Sequence, residues 1–195
     1  MPPKVLLKNV GREIYDAFKK KEIELAESTK IILSNDEFLN LANMRLRFES
    51  NKEATLLINN SRIENSFFWV DKSSNLLLKA RPDILHKNMI IDLKTTSDAS
   101  PRAFQNEIIK YGYHIQFAMI RDAVEILEGN RIENFINIVI ETKYPYNMAI
   151  YLMEQNAVDK GEIKYKQLCM DLKIALTTNE FKDYGIQTIG LPSWV

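Results

Sequence analysis

Residues 89–94 read Met-Ile-Ile-Asp-Leu-Lys, an apolar strand with two opposite charges set into it. Side chains alternate between faces along a strand, so Asp92 and Lys94 share one face while Ile91 and Leu93 point to the other. A charge inside an apolar strand is costly unless it is paired or holds a metal. The fold must therefore bring partners to that face. Asp83 is the first candidate, across the short turn His86-Lys87-Asn88. Two carboxylates brought together repel unless a cation neutralises them. Hard oxygen ligands suit Mg²⁺ or Mn²⁺, which keep waters for chemistry. A neighbouring ammonium can orient an attacking water or stabilise charge on a phosphate. Glu64, read as part of the first strand of a hairpin, offers a third carboxylate. On spacing alone, the competing reading is a buried Asp92–Lys94 salt bridge with Asp83 as a turn residue.

The flanking sequence sets the elements around this strand. Ser34-Asn35-Asp36-Glu37 is a capping box and predicts a helix over residues 35–50, followed by a short one over 54–57. An earlier helix is expected over 10–27, where Lys19-Lys20-Lys21 reads as a solvated face. Residues 62–70 read as one strand and 76–80 as a second, joined by Asp71-Lys72-Ser73-Ser74-Asn75, whose residues favour turns. With 89–94 as the third strand, a largely antiparallel meander is expected. Ser100-Pro101 marks a helix start. Phe104, Ile108, Tyr111, Ile115 and Ala118 recur at helical spacing in what reads as one long helix, stopped by Gly129-Asn130. Tyr113 and Gln116 share a face of it, three apart. Strands follow over 134–141 and 147–153. A final helix then carries Val158, Gly161, Tyr165, Leu168, Leu172 and Ala175 as its apolar face. Gly161 costs a helix about 1 kcal/mol against Ala, which implies close packing there. Trp194 is expected to anchor the tail. The alternation of helices and strands predicts an α/β fold.

Composition narrows the class. Lys+Arg and Asp+Glu each number 26, so the formal net charge is zero, which excludes a polybasic nucleic-acid coat but not a local basic groove. Arg102, Lys110 and His86 are the candidate backbone contacts. A single cysteine, Cys169, excludes an internal disulfide framework and fits a reducing, cytoplasmic setting. No apolar run approaches the roughly 18 residues of a membrane helix, so no membrane partner is expected. The 195 residues are read as a single domain, with a helical part over 1–58 and a core over 59–195.

Five segments fall in a telling order: Glu64-Asn65-Ser66-Phe67-Phe68-Trp69, Lys79-Ala80-Arg81-Pro82-Asp83, Asp92-Leu93-Lys94-Thr95-Thr96, Tyr113-His114-Ile115-Gln116 and Leu191-Pro192-Ser193-Trp194. Pro-Asp followed by Asp-X-Lys on the next strand resembles the PD-(D/E)XK nuclease superfamily. The longer series resembles its RecE-type, exonuclease VIII-like exonucleases over roughly residues 30–195. The resemblance implies a restriction-endonuclease-like core, a central mixed β-sheet flanked by helices. It implies Mg²⁺-dependent degradation of linear double-stranded DNA from 5′ ends in phage-type recombination, with Mn²⁺ as the other suitable cation. It makes Lys94 the catalytic lysine, Gln116 a helix residue of the site, and Asp83, Asp92, Glu64 and Leu93 the metal-binding set. It also implies a homo-oligomeric ring and a RecT-type single-strand annealing protein as partner. An endonuclease of the same superfamily and a silent DNA-binding or assembly subunit are the alternatives.

Two positions depart from the pattern. Such enzymes carry a histidine in an N-terminal helix, whereas the only histidines here are His86 and His114. The position four after Gln116, often tyrosine, is Ile120. On the resemblance, the chain is expected to begin inside the family's domain.

Overall fold

A computed structural model describes residues 33–181 and 183–191. The helix expected over 10–27, with its lysine run, and Trp194 lie outside the described residues. The chain divides into two units, Met1–Ala42 and Asn43–Val195. Helix α1 (Asn35–Glu49) begins in the first unit and continues past its boundary, and it starts as its capping box predicts. The Glu37 N–H donates to Ser34 Oγ at 3.3 Å, and Glu37 Oε2 accepts from the Ser34 N–H and hydroxyl, each at 2.7 Å.

The second unit is built on a five-stranded mixed sheet in the order β1-β4-β5-β6-β7: β1 (Arg62–Ile63), β4 (Ile84–His86), β5 (Met89–Thr96), β6 (Asn134–Glu141) and β7 (Met148–Leu152). Among the described strands only β5 and β6 pair in parallel. That pairing needs a crossover, which helices α3 (Pro101–Tyr111) and α4 (Tyr113–Glu128) supply. Against one face pack α4, α5 (Gln155–Thr178) and a separate hairpin, β2 (Phe67–Val70) and β3 (Leu77–Ala80), around Trp69, Leu85, Ile90, Phe117, Phe135 and Tyr165. Against the other pack α2 (Lys52–Ile58) and Phe48, around Ala54, Ile84, Ile91, Ile136 and Ile138. The fold is the α/β core with a helix-flanked mixed sheet that the motif order implied.

Three expected elements are different in the structure. The run 62–70 is not one strand. Glu64 takes a positive φ of 51°, and the chain turns there. Arg62–Ile63 stay in the main sheet beside β4, while Phe67–Val70 leave it to pair with β3. The hairpin forms, but its strands do not continue into β5 as a meander. A short strand, β4, intervenes and pairs with both β1 and β5. Three residues are too few to show a period of two, so the sequence does not announce it. Asp83 therefore stands immediately before β4. The long helix expected from Pro101 to Gly129 is also broken. Gly112, at φ 70°, ends α3 and begins α4, and Tyr111, placed in the apolar stripe, is exposed.

On α5 the buried face is Val158, Gly161, Tyr165 and Cys169, whereas Leu168 and Leu172, expected on it, are exposed. Gly161 is there because nothing larger fits. A Cβ at this position would lie 2.2 Å from the His114 carbonyl oxygen in the first turn of α4. Below it, a polar network ties α5 to α4 and the hairpin. Lys166 Nζ reaches Asp71 Oδ1 at 2.8 Å and Asp122 Oδ2 at 3.2 Å, and Ser74 donates twice to Asp71 Oδ2. Burial pushes the Asp71 carboxyl up, but the bonds from Lys166 and Ser74 outweigh it and hold the group at about 2.

Two stability predictions follow from these contacts. Gly161→Ala gains about 1 kcal/mol of helix propensity, but a backbone overlap of this depth forces the helices apart at a cost of about 3 kcal/mol. The variant should therefore show a lower urea midpoint than wild type. Asp71 is depressed in the folded state, so its stabilisation is present above pH 4 and lost as pH falls toward 2. Asp71→Ala should lose about 2 kcal/mol at pH 7, with the deficit shrinking below pH 4 in chemical denaturation. A deficit independent of pH would contradict the assignment.

Candidate active site

The site arises where β4 stops short. β5 pairs with β6 along its whole length, from Met89↔Asn134 to Thr96↔Glu141, but with β4 only as far as Ile91. Among the described residues, the β4 side of β5 has no strand neighbour beyond Ile91. The Asp83 carboxylate takes that place, with its Oδ2 accepting the Leu93 N–H at 2.8 Å. One side-chain bond thus replaces a ladder bond and fixes Asp83 beside β5.

Asp92 and Lys94 point to the α4 face, as strand alternation requires. Asp92 is buried, and its Oδ2 forms an ion pair with Lys94 Nζ. The break at Gly112 starts α4 directly above them, so Tyr113 and Gln116 lie in its first turns. Gln116 Nε2 donates to Asp92 Oδ1 at 3.0 Å, and Gln116 Oε1 accepts from Lys94 Nζ at 3.3 Å. Lys94 Nζ lies 4.3 Å from the centre of the Tyr113 ring, a separation at which the ring face attracts the ammonium. Gln116 therefore bridges both charges, and Tyr113 limits where the ammonium can go.

Burial pushes the Asp92 carboxyl up to about 6; Lys94 opposes this and the nearby Asp83 adds to it. Two neighbouring carboxylates, one of them nearly dry and paired with the single ammonium of Lys94, leave negative charge under-compensated. The donors are hard oxygens, and Mg²⁺ characteristically binds through one or two carboxylates plus waters and phosphate oxygens. The residues present fit such an ion. Asp83 and Asp92 would hold it, with the Leu93 carbonyl as the one oxygen that residue can offer.

Glu64 stands apart from this pair. It lies in the turn between β1 and β2, is mostly exposed, and its Oε2 is 3.7 Å from Arg81 Nη1. Its backbone N–H donates to the Asp83 carbonyl at 2.9 Å, and it borders a cavity of about 410 Å³ with Phe48, Ile58, Ile63, Asp83 and Leu93. Among the described residues, no three His, Cys, Asp or Glu side chains converge to hold a metal. The expected three-carboxylate cluster is thus not formed, because the positive φ at Glu64 carries its side chain toward Arg81.

Neither histidine reaches the site. His86 Nδ1 is 3.0 Å from Ser61 Oγ, and His114 Nδ1 is 3.4 Å from the Ile108 carbonyl. Arg102 and Lys110 are exposed on α3. Two residues near the site escaped sequence reasoning. Thr96 Oγ1 donates to Glu107 Oε1 at 2.7 Å, two positions beyond Lys94. Asn137 sits in register beside Asp92. A polar residue inside an apolar strand, the feature that singled out Asp92, was also present at Asn137.

The raised Asp92 carboxyl has a stability consequence in the metal-free protein. Between pH 4 and 6 the folded state holds a proton that the unfolded state has released, so ionising Asp92 destabilises the fold as pH rises through that window. Asp92→Asn stays neutral throughout. Its urea midpoint, relative to wild type, should rise from pH 4 to pH 6. A difference that stays flat would show that Asp92 is an ordinary, well-compensated carboxylate.

Comparison with known proteins agrees with this fold. The profile of a family described as "PDDEXK-like domain of unknown function (DUF3799)" matches residues 9–186. No curated protein matches. Among solved structures, one from Eubacterium rectale, named "Putative exonuclease", superposes with a TM-score of 0.63 at 16% identity. The alignment covers 86% of this chain and 63% of that one, so this chain spans under two thirds of that protein's length. A phage related exonuclease from Haemophilus somnus is similar with a TM-score of 0.41 at 11% identity, over 91% of this chain and 90% of that one. Since the family profile spans most of its length, the chain belongs to the PDDEXK-like domain family.

Proposed function

We propose that the chain is a divalent-metal-dependent DNA nuclease, and more narrowly an exonuclease that degrades linear double-stranded DNA from 5′ ends, as RecE-type enzymes do. The observation that carries this reading is the joining of Asp83, Asp92, Lys94 and Gln116 at the point where β4 leaves β5 unpaired. The exonuclease name of the Eubacterium rectale fold neighbour supports exonuclease over endonuclease.

Each side chain has a role set by its position. Asp83 and Asp92 present carboxylate oxygens to the cation. Lys94 donates from Nζ to a phosphate oxygen or to the attacking water. Gln116 bridges Asp92 and Lys94 until Lys94 turns to substrate, and the Tyr113 ring limits where the ammonium can go. A bound Mg²⁺ or Mn²⁺ supplies Lewis-acid polarisation of the phosphate and lowers the pKa of a coordinated water.

The same reading extends to assembly. Phe68, Val70 and Leu77 on the hairpin and Ile163 and Ile174 on α5 are exposed apolar side chains. Exposed apolar side chains of this kind are available for association, and a homo-oligomer, taken on family grounds to be a ring, is proposed. A RecT-type annealing protein is the proposed functional partner, and the cytoplasm the proposed setting.

End-labelled linear duplex should be shortened with Mg²⁺ or Mn²⁺ and left intact with chelator, while supercoiled circles survive. Cutting of the circles would favour an endonuclease. Lys94→Ala and Asp83→Ala should each lower the rate by about 100-fold or more. Wild-type rates in both variants would remove the site from the reaction, and inert wild-type protein that still binds DNA would identify a silent subunit.

A further inference from the structure

β6 reads Phe135-Ile136-Asn137-Ile138-Val139-Ile140, one amide in an apolar run. Asn137 is fully buried, and among the described residues neither its Oδ1 nor its Nδ2 has a hydrogen-bond partner. A buried polar group left unpaired destabilises a fold, and an apolar side chain of like size would serve this core better. The fold alone therefore does not account for Asn137.

Its neighbours suggest what does. Sheet register sets Asn137 between Asp92 on β5 and Tyr151 on β7. Register-paired residues on adjacent strands point to the same face, with strands about 4.8 Å apart. The three side chains form one row on the face that α3 and α4 cover. Tyr151 is already committed, its hydroxyl donating to the Ala99 carbonyl at 2.6 Å and its ring stacked on Phe104 at 5.2 Å. Asp92 is less secured. Gln116 serves Oδ1, and Oδ2 has no hydrogen bond besides its ion pair with Lys94.

Lys94 thus has two tasks that conflict. In the free protein it neutralises Asp92. In the working state proposed above it turns to a phosphate oxygen or to the attacking water, and the buried Asp92 carboxylate, which would then hold the cation through one oxygen, loses the ammonium as a donor. The amide row-mate of Asp92 then has a free donor at hand. Resting on that nuclease reading, we infer that Asn137 is a positioning residue whose Nδ2 donates to the Asp92 carboxylate when Lys94 engages substrate. It keeps the carboxylate aimed and releases the ammonium for the reaction. Asn137 touches neither substrate nor cation in this role, so its effect should fall on turnover rather than on DNA affinity.

The test compares Asn137→Leu, Asn137→Ala and Asn137→Ser with wild type on end-labelled linear duplex in Mn²⁺, together with thermal melting and Mn²⁺ calorimetry. Asn137→Leu should melt no lower than wild type, yet lose about 10- to 100-fold in kcat with KM for DNA unchanged. Asn137→Ser, which retains a hydroxyl donor, should turn over faster than Asn137→Ala. Wild-type kcat in Asn137→Leu, or equal rates for the Ser and Ala variants, would overturn the inference. So would failure of both Asn137→Leu and Asn137→Ala to fold, which would show that the amide serves the core. A wild type that neither binds Mn²⁺ nor cuts DNA would instead remove the nuclease reading, and this inference with it. A wild type that does both, beside an unaffected Asn137→Leu, would remove this inference alone.

Discussion

Asp92 sits almost dry in the middle strand of the sheet, and an ion there is tolerable only while other groups share its charge. Lys94 on the same strand, Gln116 from α4 and Asp83 from the edge of β4 all meet around it. Desolvating one carboxylate costs several kcal/mol even after relaxation, and the ion pair with Lys94 returns only part of this, which is why the Asp92 carboxyl is raised to about 6. A sheet selected for stability alone would place an aliphatic residue here, as at the flanking Ile90 and Ile91. The charge is retained at a cost, and the surrounding elements are arranged to keep that cost bearable.

Each arrangement has a backbone cause. Parallel pairing of β5 with β6 demands a crossover, and the break at Gly112 lets its second helix start above Asp92 and Lys94. Gly161 then allows α5 to press against that first turn at His114, a contact that a single methyl group would displace. On the other side, the early end of β4 frees the Leu93 N–H for Asp83. A helix break, a glycine contact and a shortened strand thus converge on four side chains.

Much of this was legible in the sequence, and the failures have physical reasons. Alternation along 89–94 placed Asp92 and Lys94 on one face, and helical spacing put Tyr113 and Gln116 together. Both rest on local periodicity, which survives folding. β4 was invisible because three residues show no period. The turn at Glu64 was invisible because a non-glycine residue at positive φ has no sequence signature. Gly112 was read as one more helix residue, although a left-handed cap was the better use of it. Leu168 and Leu172 mark a stripe on α5 that the fold leaves exposed in favour of Cys169. Sequence periodicity predicts an apolar face, but only packing decides which of two adjacent faces is buried.

The central proposal, that Asp83 and Asp92 hold a cation beside an ammonium that then leaves Asp92, is tested most directly by anomalous diffraction from crystals soaked in Mn²⁺. One peak is expected about 2.1 Å from oxygens of both carboxylates, with Lys94 Nζ no longer against Asp92 Oδ2. No peak at these residues, or a peak elsewhere with the Asp92–Lys94 ion pair intact, would show that the pair is a structural salt bridge and would contradict the claim.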